Sequence, residues 1–149
     1  MTLLKHLDIQ FFKKTEPFLI ELLKKNDMVI QRAGPEGNLC AGFFAAWGNK
    51  KTLSLWQEIK KQMLANPKLD DQTPLNNLLI RSNPFKLRWS LLPVEFYNGG
   101  IFTGKIWNPG TVLEVPKNIL LHHACYTVGI QNKIAQLEYI QNELRSRHR

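Results

Sequence analysis

Short apolar runs alternate along this chain with stretches of helical spacing, which is the pattern of an α/β protein. Residues 3–12 (LLKHLDIQFF) read as one apolar strand interrupted by a single carboxylate, Asp8. Thr15 can cap a following helix with Pro17 in its first turn and Phe18, Leu19, Leu22 and Leu23 on its apolar face. A brief strand is predicted at 28–31, a loop at 32–38 around Gly34, Pro35 and Gly37, and a second strand at 39–47. Helical spacing returns at 50–65, with Leu53, Trp56, Ile59 and Met63 on one side. A polar loop at 66–71 leads to a shorter helix at 73–80, again with a proline, Pro74, near its start. Strands are predicted at 86–91, 112–115 and 119–122, with a turn-rich aromatic stretch at 92–104. The last helix, 129–147, carries a stripe of Ile130, Ile134, Leu137, Ile140 and Leu144. No repeat and no linker interrupts the series, so residues 1–149 read as a single domain.

Composition narrows the picture only a little. At 149 residues, 44% hydrophobic and 21% charged, the chain can bury a core of its own. No apolar run approaches the roughly 20 residues needed to cross a bilayer, and Lys5, His6 and Asp8 break the apolar start that a signal peptide needs. Cys40 and Cys125 read as two reduced, buried thiols. The net charge of +8 suits an anionic partner. Much of the excess sits on solvated positions flanking helices and in the tail, and aromatic residues do not interleave with basic ones as in a single-strand binder. A phosphate-bearing small molecule fits the charge, and nucleic acid is not indicated.

Polar groups cluster where strands end, which is where α/β sheets bind ligands. Taken one at a time they have ordinary explanations. Asp70-Asp71-Gln72 before a helix is the composition of an N-cap, His122-His123 at a strand end can be structural, and Asn98-Gly99-Gly100 is a turn. Their order is more specific. The segments LDIQFFKK, NLCAGFFAAW, LDDQTPLNNLL, LLPVEFYNGG and HHACYTVGIQNK together resemble the blocks of the nucleotide-diphospho-sugar transferase family, glycosyltransferases of the GT-A type, and the resemblance covers nearly the whole chain.

That resemblance implies a GT-A-like (Rossmann-like) mixed sheet flanked by helices, and a metal-assisted transfer of sugar from a nucleotide-diphosphate donor to an acceptor hydroxyl on a glycan, protein or small molecule. A carboxylate pair in such enzymes holds Mn²⁺ or Mg²⁺, which stabilises the charge growing on the leaving diphosphate. Asp8 matches the second carboxylate of the pair, while the first falls at His6, which is not acidic. His123 matches a further metal ligand, with His122 as second choice. Lys133 matches a lysine that meets the diphosphate, and Gly129 a turn between them. Asp71 and Gln72 match the pair facing the donor sugar, with Asp70 an alternative. Asn38 and Gly42 are expected to line the sugar site, and Asn98 the acceptor or donor side. Seven residues precede Asp8. The resemblance therefore leads one to expect the C-terminal part of such a domain, without the nucleotide-binding units, and an open sheet edge that invites pairing with another copy. The alternative function is a catalytically inactive remnant acting as an interaction module. The compartment is left open by the sequence; relatives are often Golgi lumenal, tethered by an N-terminal helix.

Overall fold

The computed structural model of the chain describes residues 2–5, as backbone, and 8–147. Seven strands form two small mixed sheets. The first has the order β1-β4-β3-β5, built from β1 (Thr2–Lys5), β3 (Met28–Arg32), β4 (Leu39–Ala46) and β5 (Trp89–Leu91). The second has the order β2-β7-β6, from β2 (Ile9–Phe11), β6 (Phe96–Asn98) and β7 (Leu121–His123). Antiparallel pairs (β1–β4, β3–β4, β2–β7) mix with parallel ones (β3–β5, β6–β7). The helices are α1 (Glu16–Leu23), α2 (Lys50–Ala65), α3 (Gln72–Asn76) and α4 (Ile130–Ser146).

The expected long first strand is divided between the two sheets. Lys5 pairs with Phe43 of β4, and Ile9 pairs with His123 of β7. The chain therefore changes sheets around Asp8, which precedes β2 instead of standing inside one long strand. Both β1 and β2 stand at the ends of their sheets.

α2 begins at the residue the sequence indicated because Asn49 and Thr52 form a capping box: the Asn49 side chain accepts from the Thr52 backbone N–H, and the Thr52 hydroxyl accepts from that of Asn49. Its buried face is Thr52, Leu55 and Ile59; Leu53, expected inside, is 58% exposed. α3 widens into a π-helical turn, Asn77–Ser82, closed by the Asn83 N–H donating to Leu78 O at a left-handed Asn83. The expected strand at 112–115 is irregular; its Leu113 and Val115 side chains dock in a core beneath α4, and the Leu113 N–H donates to the Tyr139 hydroxyl. On α4 the expected apolar stripe is rotated. Ile130 and Ile134 face solvent, while Gln136 and Ile140 are fully buried. β6 was not anticipated, since it is three residues long within a stretch that Pro93, Gly99 and Gly100 mark as turns.

The core has three parts. One lies between the first sheet and α2 and α3, around Met28, Ile30, Phe44, Leu55 and Leu75. A second, with Leu19, Leu23, Phe43, Phe96 and Leu121, joins α1 to both sheets. The third packs Tyr97, Trp107, Ile119 and Ile140 under α4.

Candidate functional site

Where the two sheets meet, the contacts turn polar. Gln31 on β3 is fully buried; its amide donates to the Phe96 and Tyr97 carbonyls of β6 (2.9 and 3.1 Å), which fixes its Oε1 toward His123 Nδ1 at 2.9 Å. The register of β3 against β4 shifts between Ile30 and Gln31, so that Gln31 faces Cys40. A bulge of this kind re-aims side chains, and here it turns Cys40 and Gly42 to the His123 ring. A Cβ at Gly42 would stand 2.3 Å from His123 Cε1, so the imidazole lies directly on the β4 backbone.

Around that ring the structure gathers residues from four distant segments. Cys40 Sγ is 3.7 Å from His123 Nδ1. Asp8 Oδ1 is 3.5 Å from His123 Nε2, and Asp8 Oδ2 accepts from the Lys133 ammonium of α4. Asp8 Oδ1 is buried and has no hydrogen-bond partner among the described residues. Burial works to raise the Asp8 carboxyl, but the Lys133 hydrogen bond and the charges of His123 and Lys133 outweigh it and hold it below its ordinary range. Cys40, His123 and Cys125 bring their ligand atoms within 4.8 Å of one another, the one group of three or more metal-ligating side chains among the described residues. Both cysteines are free thiols. A hydrogen bond with Cys125 pulls the Cys40 thiol well below its usual value and pushes the Cys125 thiol up, with burial adding to the rise.

Beside this cluster opens a cleft of about 310 Å³ lined by Ala33, Cys40, Gln72, Ile106, Cys125, Tyr126 and Thr127. Its wall is tightly built. Tyr126 holds a positive φ of 54°, costly for a side chain of its size, and its ring leaves no room for a Cβ at Gly100 (2.1 Å). The larger cleft of about 690 Å³ beside the N-terminus of α2 shares no lining residue with this one.

The expected site residues divide clearly. Asp8, His123, Lys133 and Gly42 meet at one point, and Gln72 reaches the adjoining cleft, where its Oε1 accepts from Ala41 N at 3.3 Å. His122 points away: fully buried, it bonds Gln136 through Nε2 at 3.0 Å and packs on Tyr97, and burial lowers its pKa to about 3. Asn98 is also fully buried, bonding the Arg32 carbonyl and accepting from Gly100 N. Asp70 Oδ1 caps the start of α3 by accepting from Thr73 N at 2.8 Å. Asp71 lines a separate groove with Trp56 and Lys60, and Asn38 is exposed in its loop. Gly129 is the N-cap of α4, with a φ of 84°. His6, expected at the first carboxylate position, lies outside the described residues.

Sequence reasoning missed Cys40, Cys125 and Gln31 as partners of His123. The signal was there in the spacing of two: Cys40 and Gly42 on one strand, His123 at the end of another with Cys125 two residues on.

The fold is an incomplete Rossmann-like α/β arrangement, with its polar groups and cleft at a junction of strands. The chain matches the nucleotide-diphospho-sugar transferase family over residues 2–137 of 149, and it belongs to that family. Its general function is accordingly of the glycosyltransferase type, with a nucleotide sugar as donor. Comparison with curated proteins and with solved structures found no match. No helix among the described residues is long and apolar enough to cross a membrane.

Members of this family often use a hard divalent cation, and the residues here do not fit one. Mg²⁺ and Mn²⁺ favour carboxylate, carbonyl and water oxygens. Asp8 Oδ2 is already taken by an ammonium, and the neighbouring donors are two thiols and an imidazole.

Proposed function

We propose that the chain binds the diphospho-sugar portion of a nucleotide-sugar at the Cys40–Gln72–Tyr126 cleft and transfers the sugar to an acceptor hydroxyl. The observation that carries this reading is the convergence of Asp8, His123 and Lys133 at one point beside a cleft that Gln72 lines. As the glycosidic bond breaks, the leaving nucleoside diphosphate gains negative charge. Lys133, whose side chain is 37% exposed, supplies a positive charge that can turn from Asp8 to the phosphate. Asp8 acts as the anchor that keeps Lys133 and His123 in place between turnovers, and Gln72 offers an amide to sugar hydroxyls. Mn²⁺ and Mg²⁺, expected from the resemblance, have no step in this mechanism because the donor set does not suit them. The acceptor is a hydroxyl of a glycan, a protein or a small molecule.

A second reading, a catalytically inactive chain acting through its surfaces, is favoured by the same ion pair. Lys133 is bonded to Asp8 and is not among the residues lining the cleft. Calorimetric titration with nucleoside diphosphates and nucleotide sugars, with and without Mn²⁺, separates the two. The transferase reading expects binding without added metal. It expects Lys133→Ala to weaken that binding roughly 10–100-fold, the worth of one charge-assisted hydrogen bond. It also expects sugar transfer or donor hydrolysis that falls in Gln72→Ala. Absence of binding at millimolar donor, or undiminished binding in Lys133→Ala, would leave the inactive reading in its place.

A further inference from the structure

We propose that Cys40, His123 and Cys125 form a binding site for one soft divalent cation, Zn²⁺, through two thiolates and the imidazole Nδ1. The inference stands apart from the donor reading and starts from the geometry of the three side chains. Zinc arms of ~2.3 Å to sulfur and ~2.0 Å to nitrogen, set tetrahedrally, place sulfur and nitrogen about 3.6 Å apart. Cys40 Sγ and His123 Nδ1 stand 3.7 Å apart, and all three ligand atoms fall within 4.8 Å of one another. The cluster therefore needs only side-chain adjustment to close on an ion.

What surrounds the ligands also matches. A metal-bound histidine usually directs its other nitrogen at a carboxylate, which fixes the tautomer and the ring plane. His123 Nε2 faces Asp8 Oδ1, the buried oxygen that lacks a hydrogen-bond partner among the described residues. Binding replaces the Nδ1–H bond to Gln31 Oε1 with an Nδ1–metal bond, and the displaced Nδ1 proton moves by way of water to Nε2, toward that oxygen, or to water itself where Nε2 already carries one. The two thiol protons pass to water, and two thiolates balance the charge of the ion. Gly42, with no side chain, lets the ring lie directly against the β4 backbone. Cys40 and Cys125 both line the 310 Å³ cleft, so the fourth position opens there to water or to a ligand atom.

Two thiolates and an imidazole favour Zn²⁺ over Mg²⁺ and Mn²⁺ on the softness of the donors. The test is titration of the reduced chain with Co²⁺ alone, followed by displacement with Zn²⁺, with no nucleotide present. The expected result is one ion per chain, a near-ultraviolet thiolate-to-cobalt band and the visible bands of a four-coordinate ion, all erased by Zn²⁺ and untouched by Mg²⁺. Cys125→Ala should lose about half of the thiolate band intensity, in proportion to the sulfurs remaining, and Cys40→Ala likewise. Asp8→Asn should keep the spectrum and bind about 10–100-fold more weakly. Folding of each variant is checked by circular dichroism, and the parent spectrum stands as evidence even if a variant fails to fold. A reduced, folded parent that gives no thiolate band at saturating Co²⁺ overturns the site. So does a folded Cys125→Ala variant with the parent spectrum, or displacement of Co²⁺ by Mg²⁺ as readily as by Zn²⁺. Because no donor is present, either outcome leaves the transferase reading to its own titration.

Discussion

Two carboxylates with largely covered side chains, Asp27 and Asp8, sit at opposite kinds of junction. Asp27 ties the start of β3 to the approach to β5 and to the N-terminus of α2. Its Oδ2 accepts from the Arg88 backbone N–H at 2.9 Å, its Oδ1 accepts from the Asn49 amide, and the Arg88 guanidinium and the Lys51 ammonium (3.6 Å) complete the shell. Both oxygens are engaged. Asp8 has comparable burial and also a lowered pKa, yet one of its oxygens is left without a hydrogen-bond partner among the described residues. An unsatisfied buried acceptor costs stability. Its place beside a cleft, a Tyr126 at positive φ and two thiols supports the binding proposed there.

The largest effect is expected at Asp27. Asp27→Ala removes charge-assisted bonds and strands the Arg88 N–H, so urea unfolding should show a loss of roughly 2–4 kcal/mol at neutral pH. Its pH dependence follows from the lowered pKa. Burial acts to raise it, and the Arg88 and Lys51 contacts more than offset this. A carboxyl with a folded pKa below its unfolded value stabilises the fold above the unfolded pKa and loses that contribution as pH falls through the folded one. Parent stability should therefore fall below about pH 4, and Asp27→Ala should flatten that fall. An equally steep acid limb in the variant would mean that other carboxyls dominate it.

The two junctions also differ in how much of them the sequence announced. α2 was legible to the residue because capping and helical spacing are local. β3, β4 and the general α/β class were legible because apolar runs and turn residues are local too. Asp8, His123 and Lys133 could be nominated through family blocks, but their meeting depends on β2 crossing to a second sheet, which no local pattern encodes. The faces of α2 and α4 were misjudged for a related reason. Spacing identifies an apolar stripe, but the neighbour decides which stripe is covered, and on α4 the neighbours were His122 and the Cys125 carbonyl, which demanded Gln136. Asn98 and His122 look functional in sequence because buried polar residues and ligands share a composition. Only their satisfied partners reveal Asn98 as a strut between the sheets and His122 as a tie to α4.

An intermediate effect should separate packing at the Asp8 junction from packing in the connection between β4 and α2. In Gly42→Ala the new methyl must push the His123 ring, since the two would stand 2.3 Å apart, and overpacking of this kind costs roughly 1–3 kcal/mol. Gly48→Ala, with no atom within 4 Å of the added carbon, should unfold at nearly the parent urea concentration. Equal midpoints for the two variants would mean that His123 yields freely and is not held on β4.

The smallest stability effect is expected at Asp8 itself, and that is what makes it informative. Asp8→Asn keeps the shape and one acceptor. Its partner Lys133 is exposed enough to be solvated when released, and a pair open to water on one side contributes about 1 kcal/mol or less. The other oxygen faces His123 Nε2 at 3.5 Å without a hydrogen bond among the described residues, so its replacement by an amide loses little more. Unfolding should thus move by less than about 1 kcal/mol, well short of the loss at Asp27, although both carboxylates are largely covered and ion-paired. A loss at Asp8 as large as at Asp27 would show that the junction of the two sheets depends on this ion pair for its stability. It would then be a structural corner like the other, and the orphaned oxygen would lose its significance for binding.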